Sequence, residues 1–254
     1  MFSLKQKNAV ITGAGSGIGK SVALLFGQQG ARVFVVDISA DHGADTVAAI
    51  RSAGGQAELI MVDVTRQDLV VDKFRIAGKI DILVNSAGVS HIGKAGNTRE
   101  EDFDRLYSIN VKGLYNCLFA AIPVMQENNG GVILNLSSIA AIVGIPDRFA
   151  YSMTKGAVAA MTISVARDYL ADHIRCNCIS PARVHTAFVD GFLAKNYPGN
   201  EAEMFEKLSK TQPIGRMANP EEIAHLILYL CSDEASFITG CDYPIDGGFV
   251  KLNN

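Results

Sequence analysis

Short apolar runs rich in Val, Ile and Leu recur along the chain and alternate with longer stretches in which apolar residues return every three or four positions. The runs are "NAVIT", "RVFVVD", "AELIMVD", "IDILVN", "GVILNLSS" and "IRCNCIS", with a last short one, "CDYPIDG", after the helical pattern "PEEIAHLILYLCSDEA". Runs without polar alternation read as strands buried on both faces, and the patterns between them as crossover helices. The expected fold is therefore α/β and doubly wound, a parallel sheet with helices on both faces. No linker, repeat or low-complexity tract interrupts the series, so residues 1–254 are expected to form one domain. The rhythm breaks once, over 187–211, where "AFVDGFLAKNYPGNEAEMFEKLSKT" is polar and reads as one or two short helices. This insertion leaves from the carboxyl end of a strand, where open α/β sheets bind ligands, and is expected to act as a substrate lid.

Composition narrows the function. The 23 basic and 26 acidic residues, net charge −3, are spread without blocks, which argues against nucleic acid or an anionic membrane as partner. Small-molecule chemistry is the expectation. The cysteines at 117, 176, 178, 231 and 241 are odd in number and lack metal-ligand spacing, so they are expected to be reduced and buried, with no metal bound. The N-terminus shows no apolar leader before its first strand, and no apolar stretch is long enough to cross a bilayer. A cytoplasmic location is expected.

A dinucleotide site is suggested by "ITGAGSGIGKSVALLF", which follows the first strand and runs into an amphipathic helix. Gly13, Gly17 and Gly19, with Ser16 and Ile18 between them, allow a tight turn that brings backbone N–H groups and a helix N-terminus to a pyrophosphate. Asp37 ends the second strand, 18 residues beyond Gly19, where a carboxylate would accept hydrogen bonds from a ribose and repel a 2′-phosphate. With no basic residue in the loop or directly after Asp37, the expected cofactor is NAD. In "VDVT", Asp63 and Val64 stand near the expected adenine, although Asp63 could equally cap the next helix. "NSAG" sets Asn85, Ala87 and Gly88 beside the glycine loop at the sheet's switch point.

In "YSMTK", Tyr151 and Lys155 lie one helical turn apart on one face, so the ammonium can act on the phenol. A phenol is mostly protonated near neutrality, and a nearby positive charge favours phenolate and suits it to accept an alcohol proton. Ser138, 13 residues earlier at the end of the fifth strand, can hydrogen-bond an oxygen that gains charge.

Together, T-G-x-x-x-G-I-G at 12–19, N-x-A-G at 85–88, Asn110 in "SINVKG", Ser138 in "NLSS" and Tyr151 to Lys155 resemble the short-chain dehydrogenases/reductases over essentially the whole chain. The resemblance implies a Rossmann fold with seven parallel strands in the order 3-2-1-4-5-6-7. It also implies that Ser138, Tyr151 and Lys155 are catalytic, that Asn110 supports a proton path, and that Lys155 holds the nicotinamide ribose. By the same resemblance Pro181, Val184 and Thr186 in "PARVHT" meet the nicotinamide carboxamide. Ser86 and Ala182 depart from the family's usual Asn and Gly.

Three arginines suggest a carboxylate substrate: Arg148 just before Tyr151, Arg183 after the sixth strand, and Arg216 in "PIGR", the last read as structural. Arg148 stands where enzymes similar to the cytosolic 3-hydroxybutyrate type carry a substrate arginine. His91 and His185 could add hydrogen bonds. "SPARVHTAF" followed by "FLAKNYPG" is similar to the branch that oxidises 2-keto-3-deoxy sugar acids, 2-keto-3-deoxy-L-fuconate among them. The expected activity is NAD-dependent oxidation of a secondary alcohol on a small polar hydroxy acid. The alternatives are a 3-hydroxybutyrate-type dehydrogenase, a 3-oxoacyl-carrier-protein reductase, which Asp37 disfavours, and a non-catalytic NAD-binding regulator. Surplus apolar positions in "GLYNCLFAAIPVM" and "AVAAMTISVA" point to burial against a partner subunit; the family resemblance implies a homotetramer, with the C-terminal "GGFVKLNN" expected to reach a neighbouring subunit.

Overall fold

The computed structural model describes residues 2–252, apart from the side chains of Phe188 and Asn196. Seven strands form one parallel sheet in the order β3-β2-β1-β4-β5-β6-β7. They are β1 Asn8–Thr12, β2 Arg32–Asp37, β3 Gln56–Met61, β4 Ile82–Asn85, β5 Gly131–Leu136, β6 Ile174–Pro181 and β7 Asp242–Ile245. The apolar runs map onto these strands with small end shifts. Asp63 and Ser138 each lie two residues past their strand rather than within it. The sequence order reverses between β1 and β4, which pair in register from Ala9↔Ile82 to Thr12↔Asn85, and this opens a crevice at their carboxyl ends.

Each face of the sheet is closed by three helices. One core packs α1 Gly17–Gln28, α2 Ala40–Ser52 and α9 Pro220–Cys231 against the sheet through Val22, Phe26, Ile50, Ile223 and Ile227. The other packs α3 Gln67–Phe74, α5 Leu114–Glu127 and α6 Phe149–Asp168 through Phe74, Leu118, Met125 and Val158. Phe26 and Phe74 are each at most 1% exposed, and burying an aromatic of this kind stabilises the fold by about 2–3 kcal/mol. In α6 the buried stripe runs Ala150, Thr154, Val158, Thr162 and Val165, one face of a helix turned to the sheet, and Lys155 lies within it.

Between α4 Glu100–Leu106 and α5 the helix widens into a π segment, Tyr107–Gly113, with Asn110 at its centre. After β6 come α7 Ala187–Asn196 and α8 Glu201–Ser209, the two short helices expected of the insertion. A final turn, α10 Phe249–Leu252, follows β7. Four cysteines are buried and unpaired as expected, whereas Cys241 is half-exposed at the edge strand. No described helix is long and apolar enough to cross a membrane, and no described group of His, Cys, Asp and Glu could hold a metal.

Candidate active site

The crevice is a cavity of about 800 Å³ that runs from the glycine loop to α7 and α8. Its floor is the turn after β1. Gly13 has φ +66°, and a Cβ there would lie 2.8 Å from the Ala87 backbone, so only glycine allows the loops after β1 and β4 to touch. A Cβ on Gly19 would sit 2.3 Å from the Gly13 carbonyl oxygen, which fixes how closely α1 can start behind the turn. Thr12 Oγ1 joins the same loops by accepting from the N–H groups of Ser86 and Ala87, both at 3.1 Å.

The N-terminus of α1 faces this floor with its donors uncommitted. Ser16 is the N-cap but makes no side-chain capping bond, and no acidic residue stands in the first turn. A positive helix end left open beside a cavity suits a diphosphate, so the chain's own residues fit the dinucleotide that the motif implies. Ser16, Gly17, Ile18, Asp37, Asp63, Val64, Ala87, Gly88, Pro181, Val184 and Thr186 all line the cavity.

Both Asp37 oxygens are engaged: Oδ2 accepts from Gly15 N at 2.8 Å and Oδ1 from Ser39 N at 2.9 Å. The carboxylate thus borders the cavity and also fastens the glycine loop to β2. Asp63 does not cap α3, whose N-cap is Arg66, and instead Oδ1 accepts from Thr65 N at 2.9 Å within a turn. Asn85 is placed differently from its motif neighbours. Its side chain lies behind the crevice floor, where Nδ2 donates to Asn135 Oδ1 at 2.9 Å, and Asn135 donates on to Thr162.

At the far wall, Ser138, Tyr151 and Lys155 converge. Ser138 Oγ accepts from Ala140 N at 3.2 Å, and its hydroxyl also hydrogen-bonds the Tyr151 phenol. Lys155 is 8% exposed, and its ammonium donates to the Leu136 carbonyl at 2.7 Å while lying 5.7 Å from the centroid of the Tyr151 ring. Ser137 Oγ donates to the Lys155 carbonyl at 3.1 Å, so the end of β5 and the first turns of α6 are tied twice. Asn110 does not line the cavity. Its Oδ1 accepts from Val89 N at 2.8 Å and its Nδ2 donates to Val89 O and Thr154 Oγ1, which makes the side chain a clamp between the β4 loop and α6.

Burial acts on both ionisable groups of the Tyr151 and Lys155 pair. Burial pushes the Tyr151 phenol above its usual range, opposed by a hydrogen bond with Ser138 and by the charge of Arg148. Burial also pulls Lys155 down to about 8.

Arg148 and Arg183 border the same cavity. Arg148 is the N-cap residue of α6, and its Nη1 donates to the His91 carbonyl at 3.0 Å. Arg183 Nε donates to Thr211 Oγ1 at 3.1 Å. Its pKa is lowered first by burial and then by Arg148, so the two guanidiniums repel across the pocket. Arg216 is turned away and paired with Glu222 through two contacts of 2.7 Å at the start of α9. The His91 imidazole lines the cavity, with Nε2 3.5 Å from Asp102 Oδ2 and a buried Nδ1 that has no partner among the described residues. His185 does not line it; its ring meets Asp190 at 2.8 Å and packs edge-on against Phe205, which joins the β6 loop to α7 and α8.

Sequence reading missed several lining residues. Val189, Phe192 and Leu208 come from the insertion, Gln212 and Met217 from the segment between it and α9, and Phe249 from the chain after β7. They carry no motif and meet the cavity only through the tertiary fold. Phe249 turns "GGF" toward the crevice; Asn253 and Asn254, at the end of "GGFVKLNN", lie outside the described residues.

Sheet order, glycine turn and a serine, tyrosine and lysine grouped at one crevice define a nucleotide-binding oxidoreductase. The family model described as enoyl-(acyl carrier protein) reductase matches residues 13–250, and the chain belongs to the short-chain dehydrogenase/reductase family. It is 41% identical to an oxidoreductase of Thermotoga maritima over 99% of this chain and 100% of that one. It is 37% identical to 2-keto-3-deoxy-L-fuconate dehydrogenase of Xanthomonas campestris over 97% of this chain and 81% of that one. The solved L-sorbose reductase of Gluconobacter frateurii, complexed with NADPH and L-sorbose, superposes with a TM-score of 0.94 at 28% identity and 99% coverage of both chains.

Proposed function

We propose that the protein is an NAD-dependent dehydrogenase that oxidises a secondary hydroxyl on a small polar hydroxy acid, of which 2-keto-3-deoxy sugar acids are the best candidates. The observation that carries this reading is the pair Arg148 and Arg183 in the cavity that holds Tyr151. Two guanidiniums that raise each other's charging cost are relieved by an anion between them, and a carboxylate matches their planar donors. The 37% relative named for a 2-keto-3-deoxy acid supports the same class.

Bound nicotinamide would supply a two-electron hydride acceptor. The chain's residues would do the rest. Ser138 donates to the substrate oxygen, Tyr151 Oη takes the hydroxyl proton, and Lys155 orients the ribose side of the site. Asn110 acts as a positioning group that holds the β4 loop on α6. The helices over 187–211 close the pocket as a lid, consistent with the four cavity-lining residues they and the next turn contribute. The exposed Tyr107, Tyr115, Phe119 and Ile163 on α4 to α6 favour burial against further copies, in line with a homotetramer.

Arg183→Met should raise KM for short hydroxy acids about 30-fold, with a much smaller loss for a neutral secondary alcohol of equal length. Steady-state NAD reduction over such a panel decides it. Equal losses on both substrates remove the carboxylate reading, and a preference for long acyl thioesters would replace it with the acyl-carrier reductase.

Asp37→Ala should narrow the preference for NAD over NADP by about 10-fold or more, measured as the ratio of kcat/KM values. Because Asp37 also bonds Gly15 N, affinity for both dinucleotides should fall. An unchanged ratio would show that the carboxylate serves only the loop.

A further inference from the structure

Four buried side-chain atoms have no hydrogen-bond partner among the described residues: Asn85 Oδ1, His91 Nδ1, Ser209 Oγ and Gln212 Oε1. Asn85 lies behind the crevice floor and Ser209 away from the cavity, whereas His91 and Gln212 line it. Gln212 is the more deeply set, at 2% exposed. It stands between α8 and α9, where its N–H donates to the Ser209 carbonyl at 3.1 Å and its own carbonyl accepts from Gly215 N at 2.8 Å. The backbone that carries the side chain is thus pinned on both sides.

The direction of the amide follows from its neighbours. Thr211 Oγ1 gives its single proton to the Leu208 carbonyl at 2.6 Å and accepts from Arg183 Nε at 3.1 Å. With that proton committed, the 2.7 Å contact between Thr211 Oγ1 and the Gln212 amide can only be a donation from Nε2. The amide oxygen is therefore the end left over, an acceptor out of water with no donor among the described residues. Such an atom is costly unless a ligand donor meets it. The other lining residues contributed after Thr186, namely Val189, Phe192, Leu208, Met217 and Phe249, have no side-chain N–H or O–H to offer.

We propose that Gln212 is a specificity-determining residue whose Oε1 accepts a hydrogen bond from a second hydroxyl of the substrate, one beyond the hydroxyl being oxidised. This deepens the hydroxy-acid reading above and rests on it. One threonine hydroxyl holds both Arg183 and Gln212, so the group that meets the carboxylate and the group that meets the extra hydroxyl keep a set spacing. The site then selects acids bearing two hydroxyls over deoxy acids of the same length, because the deoxy acid leaves the amide oxygen buried and unpaired. A water shared with the Ser209 hydroxyl is the competing way to satisfy that oxygen, and it confers no such selection.

Steady-state NAD reduction with 3,4-dihydroxybutyrate and 3-hydroxybutyrate tests this. Wild type should favour the dihydroxy acid by about 30-fold in kcat/KM. Gln212→Met keeps the length of the side chain and loses its acceptor, and should bring that ratio to within about threefold of one by weakening the dihydroxy acid alone. Gln212→Glu keeps an acceptor and should retain most of the ratio, while its charge next to the Thr211 and Arg183 pair raises KM for both acids alike. A wild-type ratio near one overturns the proposal, as does a ratio that Gln212→Met leaves unchanged in protein whose melting temperature shows it is folded. The carboxylate reading is decided separately by Arg183→Met, which should raise KM for both acids and leave their ratio in place. No rise in KM there ends the carboxylate reading, and wild type inactive on both acids ends the hydroxy-acid reading and this proposal with it.

Discussion

Tyr151→Phe should reduce turnover by about 1,000-fold while leaving dinucleotide affinity within about twofold of wild type. The substitution removes one oxygen from a ring that keeps its place in the first turn of α6, so the crevice walls and the glycine turn are undisturbed. What disappears is the only phenol among the described residues at the wall where Ser138 and Lys155 meet. Fluorescence titration with NADH and steady-state oxidation of hydroxy acids together separate binding from chemistry. Near-normal turnover in the variant would mean that the proton goes elsewhere, and the assignment of Tyr151 would be abandoned.

Lys155→Met should cost a similar amount of activity, and it should also leave a signature in stability. Folding lowers the Lys155 pKa from 10.5 to about 8, so between those values the unfolded chain binds more protons than the native one. Stability from this group therefore rises with pH across that window, by at most about 3 kcal/mol. The buried thiols act in the opposite direction. Burial lifts Cys117, Cys178 and Cys231 from 9.0 to about 12, so the unfolded chain loses their protons first and stability falls as pH passes 9. Only the difference between wild type and Lys155→Met isolates the lysine. That difference, from urea melts at pH 7.5 and 9.5, should shift in favour of wild type at the higher pH. A flat difference would show that the ammonium is well solvated in the native state.

The strands, the glycine turn and the Tyr151–Lys155 spacing were legible because each depends on local order. Val-rich runs such as "RVFVVD" form β2 wherever both faces are covered, and residues four apart share a helix face in any context. The burial of Lys155 was hidden for the opposite reason. It depends on how much water Lys155 loses, which follows from the stripe it shares with Thr154 and Val158 against the sheet. Asn85 was grouped with Ala87 and Gly88 by proximity in "NSAG", yet strand alternation sends its side chain to Asn135 and away from the crevice. Gln212 lines the pocket and is 2% exposed, with nothing in "TQPIG" to announce it.

The π segment around Asn110 has one more implication, for insertions and deletions. Its extra residue sets the rotational phase between α4 and α5, and each residue of an ordinary helix advances that phase by about 100°. Losing one residue from Tyr107–Gly113 would therefore swing either Asn110 off Val89 or Leu118 and Met125 out of the interior. Length in this stretch is thus more tightly constrained than residue identity.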